Sequence, residues 1–349
     1  MSSEIIIFKN DAVGDLTHSL YAINNIIINN KDKNIIIYLS ERSKNFSFLI
    51  NNKNITFKIV NYNLTLIQKI QIFCFILVNN ISKAYILTPK SFYFLLPPLF
   101  RKTKFYGLCI NGSNNYKRPP EFLRKYLFKY VINDRSAIYK RDSTKMIQYE
   151  LTKNINQSNQ ESQININVEV SDVLKKYLPK DYCYFHLKKQ RLDSLGWGIS
   201  EIKLLLDELL KYSPNVVITK DIEVDENSKI LKENFNSFDF KNNNYLNKNK
   251  KVIFLDNIDG RDIYNVIKLS RKIIAFHGMM TALGSINKKN ILDLYCCNIK
   301  NWNDYRGYRN SFYEFKASYK GYDFIIPSKN IHKTIKKINF SLEKIKNEI

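Results

Sequence analysis

The sequence predicts an α/β protein built as two Rossmann-like domains, each with a parallel sheet, facing a central cleft. Three observations carry that expectation. Residues 4–9 (EIIIFK) and 34–39 (NIIIYL) are continuous apolar runs, as in strands buried on both faces, and a helix-length stretch separates them. A polar, low-complexity stretch, KNINQSNQESQININVE at 153–169, breaks the pattern near mid-chain. A second βα series then begins and runs to the end.

In the first series, residues 10–14 read as a turn and 15–29 as a helix, with Leu16, Leu20, Ile23 and Ile27 at helical spacing. Strand, helix and strand make a βαβ unit, from which parallel sheets are assembled. Further strands are expected at 56–60, 83–87 and 104–109, with a helix at 64–78. Residues 119–131 read as a basic amphipathic helix, because Arg118-Pro119-Pro120 suits a helix start. The second series gives strands at 181–187, 215–219, 251–255, 272–276 and 290–295, and helices at 200–212, 222–235 and 262–270. Residues 330–349 form a closing basic amphipathic helix. The expected domains are therefore 1–165 and 166–349.

A chain of 349 residues is long enough for two cores. Its 55 Lys and Arg against 32 Asp and Glu leave a net charge of +23, which attracts polyanions. No RNP-type aromatic motif, zinc knuckle or long unbroken basic run accompanies the charge, so nucleic acid is not expected as a partner. The five cysteines, Cys74, Cys109, Cys183, Cys296 and Cys297, form no CxxC and point to reduced thiols in a cytoplasmic protein. The four histidines lack metal-ligand spacing, so no metal is expected. The start MSSEIIIFKND has no signal-peptide n- and h-regions. The most hydrophobic window, 64–78, contains Gln68, Lys69 and Gln71 and is too short and polar to span a bilayer.

The first candidate site is the turn Asn10-Asp11-Ala12-Val13-Gly14-Asp15, at the carboxyl end of the first strand, where open α/β sheets bind ligands. Gly14 permits a sharp turn. Asp15 then falls at the positive end of a helix dipole, which suits a carboxylate. Such a group either caps the helix or takes a proton from a bound hydroxyl. The lone glycine is not a GxGxxG, which disfavours a dinucleotide site and a dehydrogenase. Lys188, Lys189 and Arg191 are loop cations suited to a diphosphate. Trp197 reads as core packing at a helix start. The turn Phe276-His277-Gly278-Met279-Met280-Thr281 precedes a short helix, where a glycine lets the backbone approach a phosphate and free N–H groups bind it.

Three of these stretches resemble the heptosyltransferases. IIIFKNDAVGDLTHSLYAI is similar to the family's N-terminal strand, Gly-Asp pair and helix. The segment 184–220 is similar to its strand ending in His, polar loop, Trp and Leu-rich helix. The segment 260–295 keeps the Gly of its Asp-Thr-Gly-x-x-His turn, with Phe276 in place of the Asp and Thr281 in place of the His. The resemblance implies a GT-B fold and an inverting transfer of a sugar, heptose or hexose, from a nucleotide sugar to an envelope glycolipid or polysaccharide. It makes Asp15 the general base. It places Lys188, Lys189, Arg191, Glu226 (or Glu223), His277, Gly278, Met279, Met280 and Thr281 at the donor, and Asp11, Gly14, His18, Arg118 and Arg124 at the acceptor. No cofactor is implied. Arg118, Arg124, Lys125 and Lys129 would grip a phosphorylated acceptor or the anionic inner face of a cytoplasmic membrane. The competing readings are a GT-B transferase of another sugar for capsule or O-antigen, and a non-catalytic module that binds anionic glycolipid.

Overall fold

The computed structural model describes residues 4–50, 52–111, 119–134, 144–153, 166–221, 226–248, 250–297 and 321–347. The chain divides into two compact units, Met1–Asn167 and Val168–Ile349.

In the first unit, β1 (Glu4–Lys9), β2 (Ile35–Ser40), β3 (Ile55–Val60), β4 (Ile81–Ile86), β5 (Lys104–Asn111) and β6 (Lys129–Asp134) form an all-parallel sheet in the order β3-β2-β1-β4-β5-β6. Its helices are α1 (Val13–Ile28), α2 (Leu66–Val78), α3 (Ser91–Phe94), α4 (Glu121–Arg124) and α5 (Thr144–Thr152). Ile6 and Phe8 of β1 pack with Ile72 and Ile76 of α2, Tyr93 and Leu127 on one face of the sheet. Strand alternation sends Ile5 and Ile7, equally buried, to the other face. Thr65 and Gln68 close α2 at its start: each side chain bonds the other's backbone N–H at 3.2 Å. The helix expected at 119–131 is corrected to four residues, α4, followed by β6. Phe128 N–H bonds the Phe105 carbonyl at 2.8 Å, and Lys129–Asp134 then pairs with β5. In the ladder, the backbone groups of this segment are taken by β5 rather than by a helix of their own.

The second unit holds β7 (Cys183–Leu187), β8 (Val216–Lys220), β9 (Asn236–Asp239), β10 (Asn244–Leu246), β11 (Val252–Asp256), β12 (Lys272–Phe276), β13 (Asn290–Leu294) and β14 (Tyr322–Ile325). The order is β10-β9-β11-β8-β7-β12-β13-β14. Every pairing is parallel except β9 with β10, an edge hairpin that the expectation of purely parallel sheets did not contain. Its turn places Asn243 in the left-handed region, φ 47°, which Asn tolerates. The helices are α6 (Asp172–Tyr177), α7 (Lys189–Leu195), α8 (Ile199–Leu209), α9 (Glu226–Asn234), α10 (Gly260–Leu269), α11 (Met279–Ile286) and α12 (Ile331–Asn347). Trp197 is buried, as expected, and its indole N–H donates to the carbonyls of Ser328 and Lys329, both at 3.2 Å.

Without its edge hairpin, the second sheet reads β11-β8-β7-β12-β13-β14, which repeats the strand order of the first. In each sheet the winding reverses beside the unit's first strand, between β1 and β4 and between β7 and β12. A reversal of this kind opens a crevice at the carboxyl ends of the strands.

Candidate functional site

At the first reversal, β1 runs into Lys9-Asn10-Asp11, and the turn is fixed from several directions. The buried Lys9 ammonium donates to Asp11 Oδ2 at 2.7 Å, and the Thr88 hydroxyl donates to the same oxygen at 2.8 Å. The Tyr93 hydroxyl donates to Asn10 Oδ1 at 2.8 Å, and the Lys90 ammonium to the Asn10 carbonyl at 3.1 Å. The Ser40 hydroxyl donates to the Asp11 carbonyl at 2.5 Å. Burial pushes the Asp11 carboxyl above its ordinary range, against the pull of Lys9 and with the push of the Asp15 charge. Asp11, expected against the acceptor, is only 2% exposed and holds the turn instead.

This turn delivers α1. Ala12 is the N-cap and offers no side-chain bond, so Asp15 does not cap the helix from that position. The Thr17 hydroxyl donates to the Gly14 carbonyl at 2.6 Å, and the Ser19 hydroxyl to the Asp15 carbonyl at 3.1 Å. The Asp15 carboxylate, half-buried, has no hydrogen bond or ion pair among the described residues. It is a carboxylate in the first turn of α1, just beyond the carboxyl end of β1. His18 lies half-buried one turn further on. Burial pushes the nearby Lys90 amine down to about 8. Thr88 and Lys90 carry no local motif; only the pairing of β4 with β1 brings them to the turn.

At the second reversal, Lys188 follows β7 and Gly278 follows β12. Lys188 Nζ donates to the His277 carbonyl at 3.4 Å. It lies 3.3 Å from the point where a Cβ at residue 278 would stand. Burial pushes the Lys188 amine down, and the charge of half-buried Arg191 adds to that push. Gly278 has φ 152° and ψ −141°, a region essentially reserved for glycine. Its carbonyl accepts from the Thr281 hydroxyl at 2.7 Å, and its N–H donates to the same oxygen at 3.2 Å. The amides of Met279 and Met280 open α11 and have no acceptor within the helix. Two cations, a glycine and a helix start at a sheet reversal can hold a phosphate-bearing ligand.

His277 is held from behind. Its Nδ1 lies 2.6 Å from Oδ2 of Asp293, a fully buried residue of β13. The Tyr322 hydroxyl of β14 donates to that same oxygen. Beside β8, His186 bridges Thr219 through Nδ1 at 2.8 Å and Asp221 Oδ1 through Nε2 at 3.1 Å. Burial pushes the Asp221 carboxyl up, but the bond and charge of His186, with the charge of Lys188, hold it below the usual carboxylate range.

Several expected contacts lie elsewhere. The Met280 and Thr281 side chains are buried. Thr281 is consumed by the Gly278 turn, and Met280 Sδ receives the Tyr184 hydroxyl at 3.4 Å. Lys189 pairs with Asp193 along α7 at 3.1 Å. Glu226 starts α9, and its side chain, like all of Glu223 and Arg118, lies outside the described residues. Arg124 is 9% exposed, within 3.8 Å of Glu121 and 5.6 Å of the Tyr130 ring, rather than presented to an acceptor. The Lys129 ammonium donates to the Glu150 carbonyl at 2.6 Å. Of the four expected basic grips, Lys125 alone among the described residues is exposed.

No family model matches the chain, and no curated protein sequence matches it. Solved structures do. A glycosyl transferase family 9 protein from Veillonella parvula is similar over 84% of this chain and 80% of its own, with TM-score 0.59 and 10% identity. The heptosyltransferase WaaC of E. coli, solved with ADP, is similar over 98% of this chain and 99% of its own, with TM-score 0.59 and 12% identity. The UDP-GlcNAc 2-epimerase of Methanocaldococcus jannaschii is similar over 97% and 92%, with TM-score 0.55 and 15% identity. The chain therefore has a heptosyltransferase-like GT-B fold, one that also carries sugar-nucleotide epimerases.

Proposed function

We propose that the chain is a glycosyltransferase that holds a nucleoside-diphosphate sugar in its second unit and passes the sugar, with inversion and without a metal ion, to an acceptor hydroxyl. The meeting of Lys188 and Gly278 at the start of α11, with the charge of Arg191 acting on Lys188, supports this most directly. A leaving diphosphate gathers negative charge, and a half-buried ammonium beside helix amides is preorganised to meet it. Half-buried Asp221 and His277, the latter held by Asp293, are polar groups that could meet the nucleoside and the sugar in this reading.

In this reading Asp15 takes the proton of the acceptor hydroxyl. The oxygen attacks the anomeric carbon from the side opposite the diphosphate. The bond to the diphosphate breaks, and the nucleotide leaves with the bonding electrons while Lys188 and Arg191 balance its charge. Because the E. coli protein was solved with ADP, ADP is the first nucleotide to try and heptose the first sugar. The net charge of +23 favours a phosphorylated or acidic envelope glycolipid or polysaccharide as acceptor.

A thermal-shift panel of ADP-, UDP-, GDP-, CMP- and dTDP-linked ligands tests the reading. At about 100 times its dissociation constant the correct nucleotide adds roughly 2.7 kcal/mol of stability. No stabilisation by any of them contradicts the proposal. A bound nucleotide sugar that is epimerised without any acceptor contradicts transfer in favour of the epimerase chemistry.

A further inference from the structure

The outer face of α2 is apolar and uncovered. Leu66, Ile67, Ile70, Leu77 and Val78 are 54% to 77% exposed, with exposed Cys74 among them. At about 100° per residue they span roughly a third of the helix circumference, opposite the buried Ile72 and Ile76. The surface continues past the helix. Phe73 packs on Phe100 with ring centroids 5.0 Å apart, and Leu99, Arg101 and Lys102 beside it are exposed. Arg101 and Lys125 flank the Tyr126 ring at 5.5 and 5.3 Å, and exposed Phe128 lies 4.7 Å from the Lys104 ammonium. From Arg42 to Pro120 the sequence contains twelve Lys and Arg and not one Asp or Glu.

From this we infer that the α2 face docks on an anionic lipid bilayer, with its apolar side chains entering the head-group boundary and the surrounding cations meeting lipid phosphates. An apolar strip rimmed by cations is the pattern of an interfacial helix. A second copy of the chain fits poorly, because a two-fold contact would set this cation-rich surface against itself. A purely electrostatic partner leaves the apolar strip unexplained. The inference is independent of the proposed sugar transfer, since it uses none of the residues assigned to donor or base.

The full chain floated with vesicles of phosphatidylcholine, with and without one-third phosphatidylglycerol, tests it. The expected result is binding to the phosphatidylglycerol vesicles alone, weakening as salt rises. The double variants Ile67→Glu/Leu77→Glu and Arg101→Glu/Lys102→Glu each lower the bound fraction by about tenfold or more. These side chains are exposed, so both variants keep the parent melting transition. Failure of the parent chain to bind, or equal binding by the Ile67→Glu/Leu77→Glu variant, overturns the inference. So does light scattering that shows a dimer dispersed by that variant while vesicles bind no protein.

Discussion

The ammonium of Lys188 lies 3.3 Å from the position that a side chain at residue 278 would take. A lysine after one strand and a glycine after its neighbour thereby share a single space. Replacing Gly278 by Ala strains a backbone at φ 152° and places a methyl group against the amine. Gly278→Ala is expected to cost about 1–3 kcal/mol in urea unfolding and to weaken nucleotide binding by calorimetry.

Lys188 itself separates binding from folding. Its burial pushes the amine below its ordinary value, so it loses charge at a lower pH than a surface lysine. Affinity for a nucleoside diphosphate therefore falls as pH rises through that lowered value. Lys188→Gln removes this alkaline limb and lowers affinity at neutral pH by roughly tenfold or more, while the melting temperature holds or rises. Calorimetric titrations across pH check both.

Asp15 is half-buried, with no partner for its carboxylate among the described residues. Asp15→Asn should lower turnover by about a hundredfold to ten-thousandfold and leave nucleotide affinity unchanged. Stability should shift by no more than about 0.5 kcal/mol. A product assay beside a nucleotide titration reads both.

The neighbouring pair behaves in the opposite way. Lys9 and Asp11 are buried together, and neutralising only one leaves the other charge without its partner. Lys9→Met is expected to destabilise by about 3–5 kcal/mol, and Lys9→Met/Asp11→Leu to recover much of the loss. Chemical denaturation of the single and double variants measures this.

Acid sensitivity has a named source in the second unit. Lys232 bridges Asp239 at 3.0 Å and Asp256 at 2.7 Å. Burial pushes the Asp239 carboxyl up, but Asn257, Lys232 and Asn242 hold it far below its ordinary value. That stabilisation is present above the unfolded carboxylate range, near 4, and is lost as pH falls toward the folded value. Lys232→Met should therefore lower stability at pH 7 by about 2 kcal/mol and flatten the acid limb of a stability–pH curve.

Much of the framework was legible because buried parallel strands are written as apolar runs. EIIIFK and KIIAF fold as strands over the residues expected. The basic stretch after Pro119 misled because charge content says little about a segment whose backbone bonds are taken by a neighbouring strand. The donor cradle was half visible: the Lys188 loop and the Gly278 turn stood out singly, but their closeness depends on β7 pairing with β12. Asp293 and Tyr322 were not visible, since a polar residue inside an apolar strand reveals its partner only through sheet order. Lys9 was hidden differently: its partner Asp11 is two residues on, but Lys9 reads locally as the polar end of a strand.

The most direct measurement is calorimetric titration of ADP and the other nucleoside diphosphates into the parent chain and into Lys188→Gln. The account predicts one nucleotide bound by the parent at one site and weakened tenfold or more by the substitution. Equal binding by both proteins, or no binding by either, contradicts it.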